Sequence, residues 1–287
     1  MGKIIWLASY PKSGNTWLRA FLHNLMRDPD QPYDINKLSH FSISDSAAGW
    51  YQAIDPRPVE TLTKEEVQQL RPRVHESMTR AHSDSVFVKT HNALVEDRGV
   101  PMVTMEYTAG AIYVVRNPLD VVISHSSHYG IDVDESIRLT ALDGLEGDNE
   151  PNYVYEHHGS WSKNVKSWTQ TPHPGLLVVR YEDMSDQPHE TFARVAGFLG
   201  LKPPRERLHK AIRQSSFRAL REQEEKHGFR ERSVKSGRFF RDGRASQWRE
   251  VLTPAQIEAV VGAHQEQMAR FGYWPLPEKT AEAVSGG

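Results

Sequence analysis

The stretch from Ile4 to Leu25, IIWLASYPKSGNTWLRAFLHNL, constrains this chain more than any other. Ile4, Ile5, Trp6, Leu7 and Ala8 form a short apolar run of the kind that makes a strand buried on both faces. Ser9 to Asn15 are turn-formers around one lysine, and after them Trp17, Leu18, Phe21, Leu22 and Leu25 recur at helical spacing. A strand, a tight polar loop and a helix start make an anion site, because the first N–H groups of a helix are unpaired and its dipole favours negative charge there. Gly14 allows close backbone approach, Lys12 brings a full positive charge, and Ser13 and Thr16 add hydroxyl donors. This is a phosphate cradle. It is not a Walker A loop, which places its lysine directly after the second glycine; here Asn15 follows Gly14 and the lysine precedes it by two.

Further along, apolar runs alternate with helical patterns. Asp28 to Asp55 reads as a long surface excursion carrying Tyr33, Phe41, Trp50 and Tyr51. Thr63 and Glu66 form a capping box that opens a helix to about Thr79. Ser85–Val88, Gly110–Val115 and Leu176–Arg180 are strand candidates, and Pro118 suits the first turn of a helix reaching about Ser127. Gly130 to Asn152 is polar and acidic, which suggests a mobile flap, and a helix is expected from about Tyr155 to Gln170 with Trp161, Val165 and Trp168 on one face. Gln187–Leu199 is a helix candidate closed by Gly200, Arg205 to Trp248 is basic and irregular, and Thr253–Phe271 is a last amphipathic helix. The alternation argues for an α/β fold with a central parallel sheet flanked by helices, in one domain over residues 1–277, with 278–287 a frayed tail. In such sheets ligands bind outside the carboxyl ends of the strands. Lys12, His91, Arg116 and Tyr181 each follow a candidate strand.

Composition narrows the partners. The net charge of −2 gives no global pull toward nucleic acid or an anionic membrane, so any anion must be held locally. No run approaches the 18 or more apolar residues of a membrane span, and the first strand begins too early to leave room for a removable leader. With no cysteine, disulfides, thiolate metal sites and cysteine nucleophiles are excluded, which fits a cytoplasmic location. The fourteen histidines show no metal-ligand spacing, so no metal is expected.

Tyr10-Pro11-Lys12-Ser13-Gly14-Asn15-Thr16-Trp17 resembles the 5′-phosphosulfate loop of sulfotransferases that use 3′-phosphoadenosine-5′-phosphosulfate (PAPS). Arg116-Asn117-Pro118-Leu119-Asp120, continuing to Ser124, resembles that family's 3′-phosphate segment, RxxxDxxxS. An arginine at a strand end and a serine two helical turns later can grip one phosphate from two sides, and the planar guanidinium suits an oxyanion. Ser236 to Trp248 (SGRFFRDGRASQW) is similar to the family's RKGxxGxW segment, with Asp242 in place of lysine and Ser246 in place of the second glycine. A carboxylate beside a phosphate is unfavourable, so Asp242 is expected to turn away and pair with Arg238 or Arg244.

The resemblance runs from about Ile4 to Trp248. It implies that Lys12, Ser13, Gly14, Asn15, Thr16 and Trp17 hold the phosphosulfate end of PAPS. Arg116, Ser124, Phe239, Phe240, Arg241 and Gly243 would close on the 3′-phosphate, and Trp17, Tyr181, Ser215 and Phe217 would surround adenine, where aromatic stacking is physically sensible. It further implies that His91, in Lys89-Thr90-His91, takes the proton of an acceptor hydroxyl while Lys12 and Lys89 steady developing charge. Histidine suits that task at its ordinary pKa near 6.5. The expected acceptor is a small hydroxyl or phenol compound and the expected product nucleotide is adenosine 3′,5′-bisphosphate (PAP). No nucleic acid, membrane or metal partner is implied, and the cradle looks more like those of bacterial small-molecule enzymes than of carbohydrate enzymes of the secretory pathway. Two rivals share the architecture: a P-loop-type nucleotide kinase, and a non-catalytic nucleotide-binding relative. Arg249-x-x-x-Thr253-Pro254-x-x-x-Glu258 resembles a short dimerisation segment of cytosolic relatives, but proline donates no backbone hydrogen bond, so a monomer or weak homodimer is expected.

Overall fold

The computed structural model describes residues 2–82 and 84–275; the tail expected at 278–287 lies outside them. Five parallel strands form the central sheet in the order β2-β3-β1-β6-β7. They are β1 (Ile4–Ser9), β2 (Ser42–Ser44), β3 (Val86–Thr90), β6 (Thr108–Val115) and β7 (Leu176–Arg180). The short pair β4 (Glu96–Asp97) and β5 (Val100–Pro101) makes a separate antiparallel ribbon.

Alternation within the strands explains why both faces are buried. Trp6, Val88, Tyr113 and Val115 enter one core with residues of α2 (Ala48–Gln52), α3 (Lys64–Met78), α4 (Pro118–Tyr129), α5 (Val133–Thr140) and α6 (Trp161–Thr169). Two helices late in the chain, α11 (Trp248–Val251) and α12 (Pro254–Arg270), complete that layer. Leu7, Phe87, Ile112, Val114 and Val179 point the other way, against α1 (Asn15–Arg27), α8 (Pro188–Phe198) and α9 (Arg205–Gln214). The α/β architecture with a parallel sheet between helices therefore stands as expected. Helix α7 (Tyr181–Asp186) follows β7 directly, and α10 (Phe217–His227) follows α9. The capping box of Thr63 with Glu66 opens α3, and Thr253 with Gln256 forms a second one at α12.

Four expectations need correction. Asp28–Asp55 is not a plain excursion: it holds a 3-10 turn, the edge strand β2 and helix α2. Two serines and one isoleucine (Ser42–Ser44) are too short and polar to signal a strand, and only pairing with β3 makes them one. Gly130–Asn152 contains α5, capped by Asp132, rather than a mobile flap. The helix expected from Tyr155 begins at Trp161 behind its cap Ser160, since the residues before it pair with the loop ahead of them. Arg205–Trp248 is helical as far as His227, through α9 and α10, and irregular only afterwards. Among the described residues no helix is long and apolar enough to cross a membrane.

Chain order places the site. The chain fills the β3 side of β1 first and then crosses to β6, so the carboxyl ends of β1, β3 and β6 meet at a switch point. Register aligns those ends: Ala8 pairs with Thr90, Ser9 with Val114, and Val115 with Arg180. The next residues along, in the loop after Ser9, at His91, at Arg116 and at Tyr181, thus share one edge.

Candidate active site

The cradle forms where β1 stops at Ser9 and α1 starts at Asn15. The loop turns through positive φ at Lys12 (65°) and Gly14 (107°), and no side chain caps the helix start. Gly14 is required: a Cβ there would lie 2.7 Å from the Tyr181 ring. The Asn15 amide donates to the Leu7 carbonyl at 2.8 Å and ties the helix back to the strand. Ser13 Oγ and Trp17 Nε1 are buried without a partner.

Arg116 is 5% exposed and donates from Nη1 to the Lys12 carbonyl and to Ser124 Oγ, both at 3.2 Å, while its Nε has no partner. Its guanidinium lies 4.1 Å from the centroid of the Tyr181 ring. Lys12 Nζ sits 3.3 Å from His128 Nδ1 and 3.7 Å over the Phe239 ring. Burial, aided by Arg116, lowers the Lys12 pKa to about 7. Neither cation has a carboxylate within ion-pair distance among the described residues, although buried charges are ordinarily paired. Two neighbouring cations without counter-ions, with hydroxyl and N–H donors left over, are what a phosphate- or sulfate-bearing ligand requires. The donor set fits PAPS.

A strap from Phe229 to Gln247 covers this end. The Glu224 carboxylate accepts from the backbone N–H groups of Phe239 and Phe240 at 2.7 and 2.8 Å, and Asp120 accepts from those of Ser246 and Trp248 at 2.7 and 3.1 Å. Tyr181 Oη donates to the Gly243 carbonyl at 2.7 Å, and a Cβ on Gly243 would lie 2.3 Å from the Phe217 ring. Arg241 donates to Gln247 Oε1 at 2.8 Å. Asp242 turns to Arg244 at 2.8 Å, as expected of a carboxylate that must avoid a phosphate, and this pairing holds its pKa below the usual range.

His91 closes the β3 side of this edge. Its Nδ1 lies 2.8 Å from the Ser9 carbonyl oxygen and 3.2 Å from Ser9 Oγ. A carbonyl only accepts, so Nδ1 carries the proton and Nε2 of the neutral ring is bare. Burial, then the Lys89 charge, depress its pKa from the ordinary 6.5 to about 3.

A cavity of about 980 Å³ joins these groups; Lys12, Gly14, Asn15, Thr16, Trp17, Lys89, His91, Arg116, Ser124 and Tyr181 line it together with Phe217, Phe239, Phe240, Arg241 and Gly243. Ser215 does not reach it: the side chain is buried and its hydroxyl donates to the Ala211 carbonyl at 2.8 Å within its own helix. Ser13 is likewise buried behind the loop rather than on the cavity wall.

Several residues escaped the sequence reading. Arg19 is 2% exposed and donates to both Glu231 carboxylate oxygens at 2.8 Å and to Ser42 Oγ at 2.7 Å, joining α1, the strap and β2. Its signal was a charge amid the apolar helix pattern, but Glu231 is distant in sequence and carries none. Glu156 and His158 also line the cavity; so do Trp50, Tyr129 and Tyr153, aromatics that already suited the expected phenol acceptor.

Comparison with known proteins agrees with this geometry. The sulfotransferase domain family matches residues 3–272. Rat (Rattus norvegicus) sulfotransferase 2A6 is 29% identical over 173 residues, 57% of this chain and 58% of that protein, so the match spans little more than half the relative's length. Guinea pig (Cavia porcellus) 3-alpha-hydroxysteroid sulfotransferase is 26% identical over 277 residues, 93% of this chain and 83% of the relative. In fold, retinol dehydratase in complex with androsterone and inactive cofactor PAP superposes with a TM-score of 0.63 at 20% identity, covering 92% of this chain and 80% of that one. Mouse sulfotransferase SULT7A1 complexed with PAP gives 0.62 at 21% identity, covering 93% and 84%. These relatives are animal proteins, and nothing in them supports the expectation of a bacterial-type enzyme.

Proposed function

The chain belongs to the sulfotransferase family, and on that premise we propose that it transfers the sulfuryl group of PAPS to a hydroxyl of a small acceptor. The observation that carries this reading is the pair of half-buried Lys12 and buried Arg116, adjacent, with no carboxylate in ion-pair reach among the described residues and one strand away from a histidine with a bare Nε2. PAPS supplies an activated sulfuryl group on a phosphate leaving group. The remaining work is positioning and charge, as in phosphoryl transfer. In this proposal Lys12, Thr16 and the uncapped N–H groups of α1 bind the phosphosulfate, and Ser13 Oγ is a further donor behind the loop. Arg116, Ser124 and Arg241 bind the 3′-phosphate, with Phe239, Phe240 and Gly243 closing the strap over it. Trp17, Tyr181 and Phe217 surround the base. His91 Nε2 accepts the acceptor's proton while Nδ1 keeps its bond to the Ser9 carbonyl, so the ring cannot rotate as it charges. Lys89, on the same wall, lends positive charge to the transferring group.

The same proposal makes the protein a cytoplasmic monomer or weak homodimer acting on small compounds, without a metal, membrane or nucleic-acid partner. The near-neutral net charge and a cavity of small-molecule size support it. The test is calorimetry with PAP, followed by mass spectrometry of products from PAPS and a panel of alcohols and phenols. Tight PAP binding with sulfated products is expected. Hydrolysis or transfer from ATP with magnesium, and none from PAPS, overturns the proposal.

A further inference from the structure

A buried second histidine, His158, stands beside His91: the two rings meet edge to face, with 6.3 Å between centroids and 80° between planes. The backbone fastens them together. The Asn164 amide donates to the His91 carbonyl at 3.0 Å and to the His158 carbonyl at 2.9 Å, and its Oδ1 accepts from the Tyr113 hydroxyl at 2.8 Å. The His157 N–H donates to Asn92 Oδ1 at 2.7 Å and the Ala93 N–H to the His157 carbonyl at 2.8 Å, which pins residues 157–158 along 91–93. His158 Nε2 in turn lies 3.3 Å from Glu156 Oε2. Burial by itself would raise the pKa of Glu156, yet Lys89, the hydrogen bond with His158 and the nearby His91 hold it below the usual carboxylate range. An ionised carboxylate only accepts, so His158 Nε2 carries the proton of that bond. Glu156 Oε1 is buried without a hydrogen-bond partner, and among the described residues the ion-pair partner of Glu156 is His158 rather than a lysine or arginine. Its charge is therefore not neutralised by a fixed cation.

A base at His91 faces an electrostatic obstacle. The neutral ring becomes a cation when it takes a proton, and burial, then Lys89 two residues back along the chain, oppose that. Of the other groups that act on the ring, His158 also disfavours the cation, whereas Glu156 and the bond to the Ser9 carbonyl favour it. Glu231 bears on His91 too, but Arg19 holds its carboxylate at 2.8 Å. We propose that Glu156, acting across His158, is a positioning residue that supplies the counter-charge for His91 as the acceptor's proton arrives on Nε2. The proposal rests on the reading of the chain as a sulfotransferase with His91 as its base. In the step it serves, the acceptor oxygen bonds to sulfur, the bond from sulfur to the phosphate oxygen breaks with its electron pair going to the phosphate, and the acceptor's proton passes to His91. Enclosure strengthens the attraction between carboxylate and imidazolium, because little water screens it. The neutral ring of the ground state gains nothing from Glu156, while the half-formed cation of the transition state does, and that difference raises kcat.

Acceptors of different acidity separate this role from a structural one. The enzyme with saturating PAPS is given benzyl alcohol, whose proton must be removed during attack, and 4-nitrophenol, which is already ionised in part near neutral pH. Glu156→Gln is expected to lower kcat for benzyl alcohol at least about tenfold, but by less than His91→Ala does, because the base is weakened rather than lost. For 4-nitrophenol the change is expected to stay within about twofold, with PAP affinity by calorimetry unchanged. An equal loss on both acceptors, no loss on either, or a loss that appears in PAP binding overturns the proposal. Should Glu156→Gln not fold, Glu156→Asp, which keeps the charge but draws it back, carries the same test: a loss confined to the alcohol is expected, and an equal or absent loss overturns the role. Wild type that binds PAP but sulfates neither compound overturns it as well. Failure of wild type to bind PAP would instead overturn the sulfotransferase reading, whereas wild-type transfer without the acidity-dependent loss in the variant leaves that reading intact.

Discussion

The proton on His91 is fixed by Ser9: Nδ1 faces the Ser9 carbonyl oxygen at 2.8 Å, which leaves Nε2 as the basic nitrogen. The contact joins the ends of β3 and β1, two neighbouring strands, so sheet register rather than a flexible side chain orients the ring. His91→Ala is therefore expected to lower kcat by about two to four orders of magnitude with PAP affinity unchanged. A loss confined to PAP binding, seen by calorimetry, would make His91 a loop-holding residue.

The pH profile follows from the burial of that ring. With its pKa near 3 rather than 6.5, His91 is neutral, and able to accept a proton, at every pH above that value. The acid limb of kcat/KM should therefore not appear between pH 7 and 5. An inflection near 6.5 would show that the base titrates as an exposed histidine does.

Stability should show the opposite sensitivity. His75 and His264 are buried and their folded-state pKa values are depressed, the latter to about 4, chiefly by burial. The unfolded chain takes up protons at these residues from about pH 6.5 downward while the folded one does not, so stability falls as pH drops through that range. Each such histidine contributes a slope of about 1.4 kcal/mol per pH unit below 6.5. Thermal midpoints are expected to fall from pH 7 to 5, with a shallower slope in His264→Gln.

Arg116 should govern affinity for the nucleotide. Arg116→Ala is expected to weaken PAP by about 2–5 kcal/mol, the range for losing one partner of a desolvated charge pair. Unchanged affinity in a titration would remove Arg116 from the 3′-phosphate.

Asp242→Lys should leave PAP affinity equal or improved, because Asp242, although it lines the cavity, pairs its carboxylate with Arg244. A marked loss on calorimetry would assign the Asp242–Arg244 pair a structural role in the strap.

Arg19 and Glu231 tie the strap to α1 and β2, so Glu231→Ala leaves a buried guanidinium half unpaired. A cost of about 3 kcal/mol is expected, at the lower end for a buried pair because the glutamate side is partly open to solvent. Chemical denaturation measures it, and a change below 0.5 kcal/mol, an order-of-magnitude figure for exposed pairs, would show the strap is held by Glu224 and Asp120 alone.

Local signals settled much of this protein from the sequence alone. The apolar runs at Ile4–Ala8 and Gly110–Val115, the capping box at Thr63 and the turn-formers around Lys12 each act over a few residues, so they read correctly without any partner. Lys12, Arg116 and His91 were legible because each follows a strand, and parallel strands end on one side. Pairing over long separations was decided only in the tertiary structure. Ser42–Ser44 is a strand because β3 offers it a ladder, and Tyr155–Ser160 stays out of the helix where His157 pairs with Glu146 of the loop before it. Glu231 meets Arg19 across 212 residues, and Asp120 meets Ser246 across 126. The chemistry of His91 was also tertiary: enclosure beside Lys89, not residue type, takes it far from its ordinary pKa, and a carbonyl on the neighbouring strand chooses which nitrogen is free. Desolvation and hydrogen-bond direction depend on what surrounds a side chain, and that is set only when distant segments pack.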